Sequence, residues 1–498
     1  MKSLILLLIY AFSSTTWGDE QTVVLPLKAI PSDLRLDRLI QVDQIRVARL
    51  LSGNLFEVGE NLQLEGKLAK NSYWEKGGKK LYIELGEATF SDGSPMNVDS
   101  VIHSLSDCIK SGPKNTTSAF SKIEGYRDFI LGKSKRLKGL LKEGKNKMSL
   151  QTTHFAPLMK ENLSAVSCSI IKPLKKGSND LLSGAIGTGP YTIEKKTPKM
   201  LVLRKRFGRG PSRVKFISTN HYGNFDKLKS KVDLILVDSN IGDKKGFNKH
   251  KNSRLAYWQL SFNNENEPFN NLNLRKALSL GLDYKFLAER MGHETANLQE
   301  GLFPLGMRGF RPRREKPGNL EKANQILAQM GYRKEKPLKF SILLSKRKGV
   351  ENSSRIWKKA FKGLSSIEIS VELVEHRELI KRRREGKFDL LFHGKDTGSH
   401  DPHILLASYL SNSHFNTPRI KNRMCDRLIE KSLEIYDRGQ RWDSYKKAEN
   451  CLLNAYFIIP LATLNSGYAL VKRPWKIARK NQYLLKPYDV DKWVKERP

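Results

Sequence analysis

The residues with the clearest chemical potential lie in one stretch near the carboxyl-terminal end, residues 388–414. Four of the ten histidines fall in this stretch, and two of its aspartates lie among them: His393, His400, His403, His414, Asp396 and Asp401. Imidazole and carboxylate groups together suit transition metals, so these side chains could form a partial metal site or hold a metal chelate. The alternative is that they are polar loop residues and helix caps. The sequence favours this alternative, and we expect no resident metal ion.

The same stretch has the pattern of a ligand-binding strand end. A strand is predicted to end near Phe392, a polar loop with glycine follows, and a helix is predicted to begin around Pro402. Ligands bind beyond strand ends in open α/β sheets. The predicted ligand-binding residues are Lys395, Asp396, Thr397, Gly398, His400 and Asp401.

Catalytic signatures are absent from the sequence. It contains no Gly-x-Ser-x-Gly, no His-Glu-x-x-His and no Walker loop. The pair His293-Glu294 lacks the second histidine that a zinc-protease helix needs one turn later. We therefore expect a protein that is not an enzyme and has no cofactor.

The stretch lies in a large chain that the sequence predicts to be exported. With 498 residues, the chain is too long for one hydrophobic core, so two or three lobes are expected. Residues 1–18 have the pattern of a signal peptide, with Lys2 before an apolar run at 4–12. That run is far shorter than the ~20 residues of a membrane span. The first cysteine is Cys108, so we expect a periplasmic protein without a lipid-anchor cysteine.

Four cysteines in an exported chain allow three pairings. Residues 424–436 and 441–457 are predicted to form two helices around a turn at 437–439. Cys425 and Cys451 lie thirteen residues on either side of Arg438, so an antiparallel hairpin brings them level. The sequence predicts Cys425–Cys451 and, by elimination, Cys108–Cys168. Free buried thiols are the alternative.

A formal net charge of +38 could indicate a protein that binds nucleic acid. Nucleic-acid binders concentrate such charge on one face or arm. Here it is spread along the chain, for example at 204–206, 311–314 and 381–384, and no zinc finger, RNP motif or basic zipper is present. We expect a solvated basic surface and no nucleic-acid partner.

Several segments resemble one protein family in the same order along the chain. Phe90-Ser-Asp-Gly-Ser-Pro95 precedes a predicted helix that Asn97 caps, and Gly187-Thr-Gly-Pro-Tyr191 precedes a strand. Leu274-Arg-Lys-Ala-Leu278 lies ahead of Asp283, a predicted cap, and a further match covers 323–332. These motifs, in this order, resemble those of the family 5 extracellular solute-binding proteins of ABC importers. We expect Arg275 to form a structural ion pair rather than to bind ligand. Because no Lys-Ser/Thr follows Tyr191, we expect a structural turn there rather than a phosphate loop.

The resemblance implies an α/β, type II periplasmic-binding-protein fold: two main lobes with a hinge, and a smaller lobe inserted in the first. Lobe I is expected at 19–50, 167–255 and 464–498, the inserted lobe at 51–166 and lobe II at 256–463. The implied function is capture of an oligopeptide or peptide-like compound by lobe closure and delivery to an ABC permease and ATPase. The alternatives are a sensor or envelope-interaction protein of the same fold, or binding of a metal chelate. A monomer is expected.

One departure from the family concerns the ligand. Where peptide-binding relatives carry Trp and Asp before the Asp-Pro step, this chain has Lys395 and Gly398. The carboxylate that pairs with a peptide's amino terminus is therefore missing or shifted to Asp396. Because Lys395 lies at this loop and the chain is basic, we predict a ligand with an acidic group or a free carboxylate.

Overall fold

The computed structural model describes most of the chain. The described residues are 21–39, 41–59, 63–111, 117–173, 180–219, 225–237, 241–253, 255–290, 298–313, 319–346, 352–397, 401–464, 467–478 and 486–496. The predicted signal peptide lies outside them. Within these ranges we find no helix with the length and apolar character of a membrane span.

These ranges contain both strands and helices. The strands are β1 (Thr22–Leu27), β2 (Phe56–Val58), β3 (Leu64–Gly66), β4 (Ala69–Trp74), β5 (Lys80–Leu85), β6 (Leu140–Lys142), β7 (Lys147–Gln151), β8 (Ile171–Pro173), β9 (Ala185–Gly187), β10 (Tyr191–Lys196), β11 (Met200–Lys205), β12 (Arg213–Ser218), β13 (Leu234–Val237), β14 (Phe247–Asn252), β15 (Ala256–Phe262), β16 (Leu338–Ser345), β17 (Ile367–Val374), β18 (Leu390–Asp396), β19 (Ile458–Thr463), β20 (Gly467–Lys472), β21 (Trp475–Ile477) and β22 (Trp493–Lys495). The α-helices are α1 (Val42–Leu51), α2 (Val98–Ser111), α3 (Thr117–Phe120), α4 (Tyr126–Ile130), α5 (Met159–Leu163), α6 (Phe225–Leu228), α7 (Leu272–Gly281), α8 (Tyr284–Arg290), α9 (Leu320–Gln329), α10 (Ser353–Ala360), α11 (His376–Glu385), α12 (Pro402–Ala407), α13 (Arg423–Ser432) and α14 (Arg438–Asn454).

The first lobe is built on the sheet β1-β12-β11-β10, in which β1 and β12 are parallel. Its inner face packs apolar side chains, such as Leu25, Leu203 and Phe216, into one core with Trp493. The strand β20 lies between β13 and β14, so the end of the chain returns to this side of the molecule.

The inserted lobe has its own sheet, β4-β5-β7-β6, and its own core. Buried and partly buried side chains alternate along β5, as expected for a strand with one covered face. Helix α2 contributes Val98, Val101 and Leu105 to this core. Asn97 accepts a hydrogen bond from the Ser100 N–H at 2.9 Å, which confirms it as the cap of this helix.

The second lobe is built on the mixed five-stranded sheet β17-β16-β18-β15-β19. All seven residues of β15 are buried, because neighbouring strands flank it and packed layers cover both faces. The boundaries near 51, 167, 256 and 464 stay a proposal. The sheets support them, since each sheet draws its strands from one of the predicted lobes.

The structure contains both predicted disulfides, Cys108–Cys168 and Cys425–Cys451. Helices α13 and α14 form the expected antiparallel pair, and the Cα atoms of Cys425 and Cys451 are 5.6 Å apart. The α14 helix begins earlier than predicted, because the Asp437 side chain accepts a hydrogen bond from the Gln440 N–H and caps it.

The glycines of Gly187–Tyr191 serve chain packing, as predicted. A Cβ atom on Gly187 or Gly189 would collide with the backbone at Leu51. Between them, the Thr188 hydroxyl accepts from the Gly53 N–H and donates to the Ile170 carbonyl, so the motif fixes the end of α1 against a neighbouring loop.

Two expectations about local structure are wrong. Arg275 makes no ion pair among the described residues. Instead, its guanidinium donates to the carbonyls of Ala455 and Phe269 and lies 4.9 Å from the Phe457 ring centroid. The strand predicted to end near Phe392 continues to Asp396, because residues 393–396 pair with residues 256–259 of β15. The helix predicted around Pro402 is present as α12.

Candidate ligand-binding cleft

A large cavity separates the first and inserted lobes from the second lobe. Its volume is about 1580 Å³. On one side it is lined by the end of α1, by β2 and by the segment around α5. On the other side it is lined by the end of β18, by α12 and by residues near the α13–α14 turn. The segment singled out by its chemistry therefore forms part of one wall.

The predicted ligand-binding residues line this wall where the structure describes them. Lys395, Asp396, Thr397 and Asp401 all face the cavity. Gly398 and His400 lie outside the described residues. Lys395 and Asp396 belong to β18 rather than to a loop, since β15 extends the strand by pairing. Their positions are therefore fixed by the sheet.

Asp401 caps α12 and lies in a polar corner of the cleft. Its carboxylate accepts hydrogen bonds from the His403 N–H at 2.8 Å and from the Tyr445 hydroxyl at 2.9 Å. Burial raises the pKa of Asp401, although these two donors and the nearby Arg441 oppose the shift.

A second carboxyl group faces Asp401 from the other side of the cleft. Glu161 lies in α5, and both residues line the cavity. Burial and, to a smaller extent, the charge of Asp401 raise the pKa of Glu161 to about 8, while Arg441 and Lys160 act in the opposite direction. The cleft thus brings together two carboxyl groups that cannot both ionise without cost.

Aromatic side chains join the two walls beside this pair. The ring of Phe155 packs edge-on against Tyr436, with centroids 5.0 Å apart, and against Trp74 at 5.2 Å. The Arg441 guanidinium lies 5.6 Å from the Phe155 ring centroid. Since Phe155 precedes α5 and Tyr436 precedes α14, these contacts hold the inserted and second lobes against each other.

A hydrogen-bonded network supports the wall under Lys395. The hydroxyls of Tyr257 and Tyr409 are 2.8 Å apart, and Tyr409 donates to Gln259 Oε1 at 2.6 Å. The Lys395 ammonium lies 4.8 Å from the centroid of the Tyr409 ring. Burial and the like charge of Arg383 lower the pKa of Lys395 to about 7.

The histidines do not form a metal centre in the described part of the chain. His393 is hydrogen-bonded to Ser261 Oγ at 3.0 Å, and His403 Nδ1 lies 3.3 Å from Ser432 Oγ. Burial lowers the pKa of each to about 3, so both are neutral at physiological pH. Among the described residues, no group of three His, Cys, Asp or Glu side chains could hold a metal ion.

Sequence reasoning missed the other wall of the cleft. Glu161 and Phe155 lie about 240 residues before Asp401 in the chain, and no motif marked them. A lone Glu in a five-residue helix is an ordinary surface pattern. Glu161 becomes part of a cleft only because the two lobes face each other in the folded chain.

Comparisons with known proteins agree with this architecture. The family model described as "Bacterial extracellular solute-binding proteins, family 5 Middle" matches residues 63–417. The periplasmic oligopeptide-binding protein OppA of Haemophilus influenzae is 30% identical over 226 residues, which cover 42% of this chain and 40% of that protein. The periplasmic murein peptide-binding protein MppA of Escherichia coli is 21% identical over 93% of this chain and 91% of its own.

A solved structure extends the likeness to the whole fold. NikA from Brucella suis, in complex with Fe(III)-EDTA, superposes with a TM-score of 0.77 at 16% identity, covering 96% of this chain and 100% of that one. This likeness concerns the fold alone. The sequence match with the oligopeptide-binding relatives spans only about two fifths of their length.

Proposed function

Because the chain belongs to family 5 of the bacterial extracellular solute-binding proteins, we propose that it captures a small solute by lobe closure and delivers it to an ABC importer. The solute is an oligopeptide or a peptide-like compound, as the names of the oligopeptide- and murein peptide-binding relatives suggest. The family consists of solute-binding proteins rather than enzymes, and we infer that this chain catalyses no reaction.

The observation that carries the proposal is the cavity between the lobes. Small-molecule pockets have volumes of roughly 300–1,000 Å³. The volume of about 1580 Å³ exceeds that range and leaves room for a chain of several residues. Polar side chains from both walls can satisfy a peptide backbone, which suits a ligand recognised largely through its main chain.

The mechanism is a shift between open and closed arrangements of the lobes. A ligand that contacts both walls binds the closed form more tightly than the open one and increases its population. Moving the ratio from 1:99 to 99:1 requires about 5.5 kcal/mol of differential binding. Phe155 of the inserted lobe packs against Tyr436 of the second lobe, and we expect opening of the cleft to break this contact.

The residues proposed to contact the ligand are those that line the second-lobe wall. They are Lys395, Asp396, Thr397 and Asp401. Gly398 and His400, which complete the predicted set, stay predictions. Glu161 joins the set from the inserted lobe.

Export and partners belong to the same proposal. We infer that residues 1–18 are removed as a signal peptide, that the mature protein is a periplasmic monomer, and that an inner-membrane permease and ATPase take up its ligand. Amino-terminal sequencing of the mature protein and its elution volume on gel filtration test the first two statements.

The direct test is native mass spectrometry of protein purified from the periplasm, followed by analysis of the ligand released on denaturation. Co-purified peptides support the proposal. A released metal chelate would instead favour the chelate-binding alternative. A protein that stays empty and binds no peptide, and whose gene has no permease neighbour, would favour a sensor of the same fold.

A further inference from the structure

Lys395 places a positive charge in the wall of the cleft without a counter-charge. It lies in β18 opposite Tyr257, and it lines the cavity. No carboxylate of a described residue lies within ion-pair distance, 4.0 Å, of its ammonium group, and no described group accepts a hydrogen bond from it. The ammonium group lies 4.8 Å from the centroid of the Tyr409 ring.

Two other cations of the cleft, Lys67 and Arg49, differ from Lys395 in this respect. Lys67 lies 3.9 Å from Glu57, and Arg49 lies 4.0 Å from Asp489. Their charges are therefore at least partly compensated within the protein. Lys395, in contrast, is half-buried beside the like charge of Arg383.

The surroundings of Lys395 are held in place. The Tyr409 ring beneath it is buried, and its hydroxyl is fixed by Tyr257 and Gln259. Gln259 in turn donates to Ser261 Oγ at 2.8 Å. The aromatic ring beside the ammonium group is therefore fixed before any ligand arrives.

A charge that is withdrawn from water and lacks a partner is costly. The lowered pKa of Lys395, about 7, expresses this cost, since burial and Arg383 favour the neutral amine. An anionic group that docks here would compensate the charge and restore the protonated form. The protein thus carries a cost in its empty form that one kind of ligand relieves.

We propose that Lys395 determines the specificity of the cleft and that the solute carries a carboxylate which docks on its ammonium group. This inference rests on the proposed function, because it names the class of solute that the same cleft takes. The carboxylate can be the free end of a peptide or an acidic side chain, and the chemistry is the same in both cases.

The test uses three tripeptide libraries and the full-length mature protein. The first library has free carboxyl ends and no Asp or Glu, the second is the same library with amidated ends, and the third is amidated and contains Glu. Bound peptides are captured, released and quantified by mass spectrometry. Dissociation constants of the best binders are then measured by calorimetry.

Wild-type protein is expected to prefer the first or the third library over the second by about 10- to 100-fold, the range of a charge-assisted contact. If the first library binds most tightly, the docked carboxylate is the carboxyl end of the peptide. If the third library does, it is an acidic side chain. Lys395→Met should lose the preference, whereas Lys395→Arg should keep it because the guanidinium remains charged.

A control separates this role from a merely structural one. Lys339→Met removes an exposed lysine of the same sheet that pairs with Glu368, and should leave the preference unchanged. Lys395→Met should also raise the melting temperature of the ligand-free protein, because it removes an uncompensated charge. A purely structural Lys395 would give a lower melting temperature instead.

Each remaining outcome is decisive. Equal binding of all three libraries overturns the inference and leaves the proposed function standing. A preference for acids that survives in Lys395→Met shows that another residue recognises the acid, and overturns it as well. If no library binds, the peptide class is wrong, and the proposed function falls together with the inference.

Discussion

Replacing Glu161 by Gln should remove much of the pH dependence of ligand binding. Glu161 and Asp401 come from opposite walls of the cleft, and closure brings them together away from water. Lys160 and Arg441 lie close enough to favour the ionised form of Glu161, and Arg438 and Arg441 favour that of Asp401. Burial nevertheless dominates, so the pair keeps a proton when the lobes are closed.

The sign follows from the direction of the shift. In the open form we expect Glu161 to be solvated and to titrate near its ordinary value of 4.5, whereas closure raises its pKa to about 8. Between these values the closed form binds more protons than the open form. Closure is therefore favoured at low pH and is lost progressively as the pH rises through this window.

The magnitude is set by one proton. Each pH unit inside the window changes the closure free energy by at most about 1.36 kcal/mol, a factor of ten in the closed-to-open ratio. From pH 5.5 to 7.5 the affinity of wild-type protein should fall by up to about 100-fold from this group alone. The side-chain amide of the Glu161→Gln variant does not titrate. The affinity of this variant should therefore fall less steeply with pH than that of the wild type, by up to about a factor of ten per pH unit.

The assay is calorimetric titration of the ligand identified from the native protein at pH 5.5, 6.5 and 7.5. Wild type, Glu161→Gln and the exposed-site control Glu87→Gln are compared under the same conditions. Lys395 titrates in all three proteins, so its effect cancels in the differences. Equal slopes for wild type and Glu161→Gln would refute the reasoning, as would a wild-type affinity that increases with pH.

Three further variants test the packing that supports the cleft. Arg275→Met leaves two buried carbonyl groups without their donor and should lower the unfolding free energy by about 2 kcal/mol, measured by urea denaturation. Phe155→Ala removes the ring contact with Tyr436 and should weaken ligand binding by about 3- to 10-fold without changing the fold, as judged by calorimetry and circular dichroism. The double change Cys425→Ser with Cys451→Ser opens a loop with a sequence separation of 26 and should cost about 3.5 kcal/mol of stability, seen as a lower melting temperature than that of the wild type.

Local signals in the sequence predicted the local structure well. Asn97 and Asp283 cap the helices that follow them, as predicted. These signals concern residues a few positions apart, so the sequence contains all the information they need. The spacing of Cys425 and Cys451 worked for the same reason, because a hairpin relates its two arms by counting from the turn.

Two predictions that depended on distant partners failed. The polar residues after Phe392 looked like a loop, but β15 lies some 130 residues earlier and extends the strand through Asp396 by hydrogen bonding. For Arg275, the sequence predicts a structural ion pair. However, the carbonyl of Ala455, 180 residues away, becomes its partner once the helices pack. In both cases tertiary contact overrides a local pattern that was read correctly in isolation.

The strong basicity of the chain cannot select the ligand by itself. Among the described residues that line the cleft, eight are Lys or Arg and seven are Asp or Glu, so the cavity is nearly balanced although the whole chain carries +38. The excess positive charge therefore lies mainly outside the cleft, where it acts on encounters with anionic surfaces and is screened by salt. Selection inside the cleft must come from the placement of single charges. Lys395 is the candidate for that role because its charge, unlike those of Lys67 and Arg49, has no carboxylate partner among the described residues.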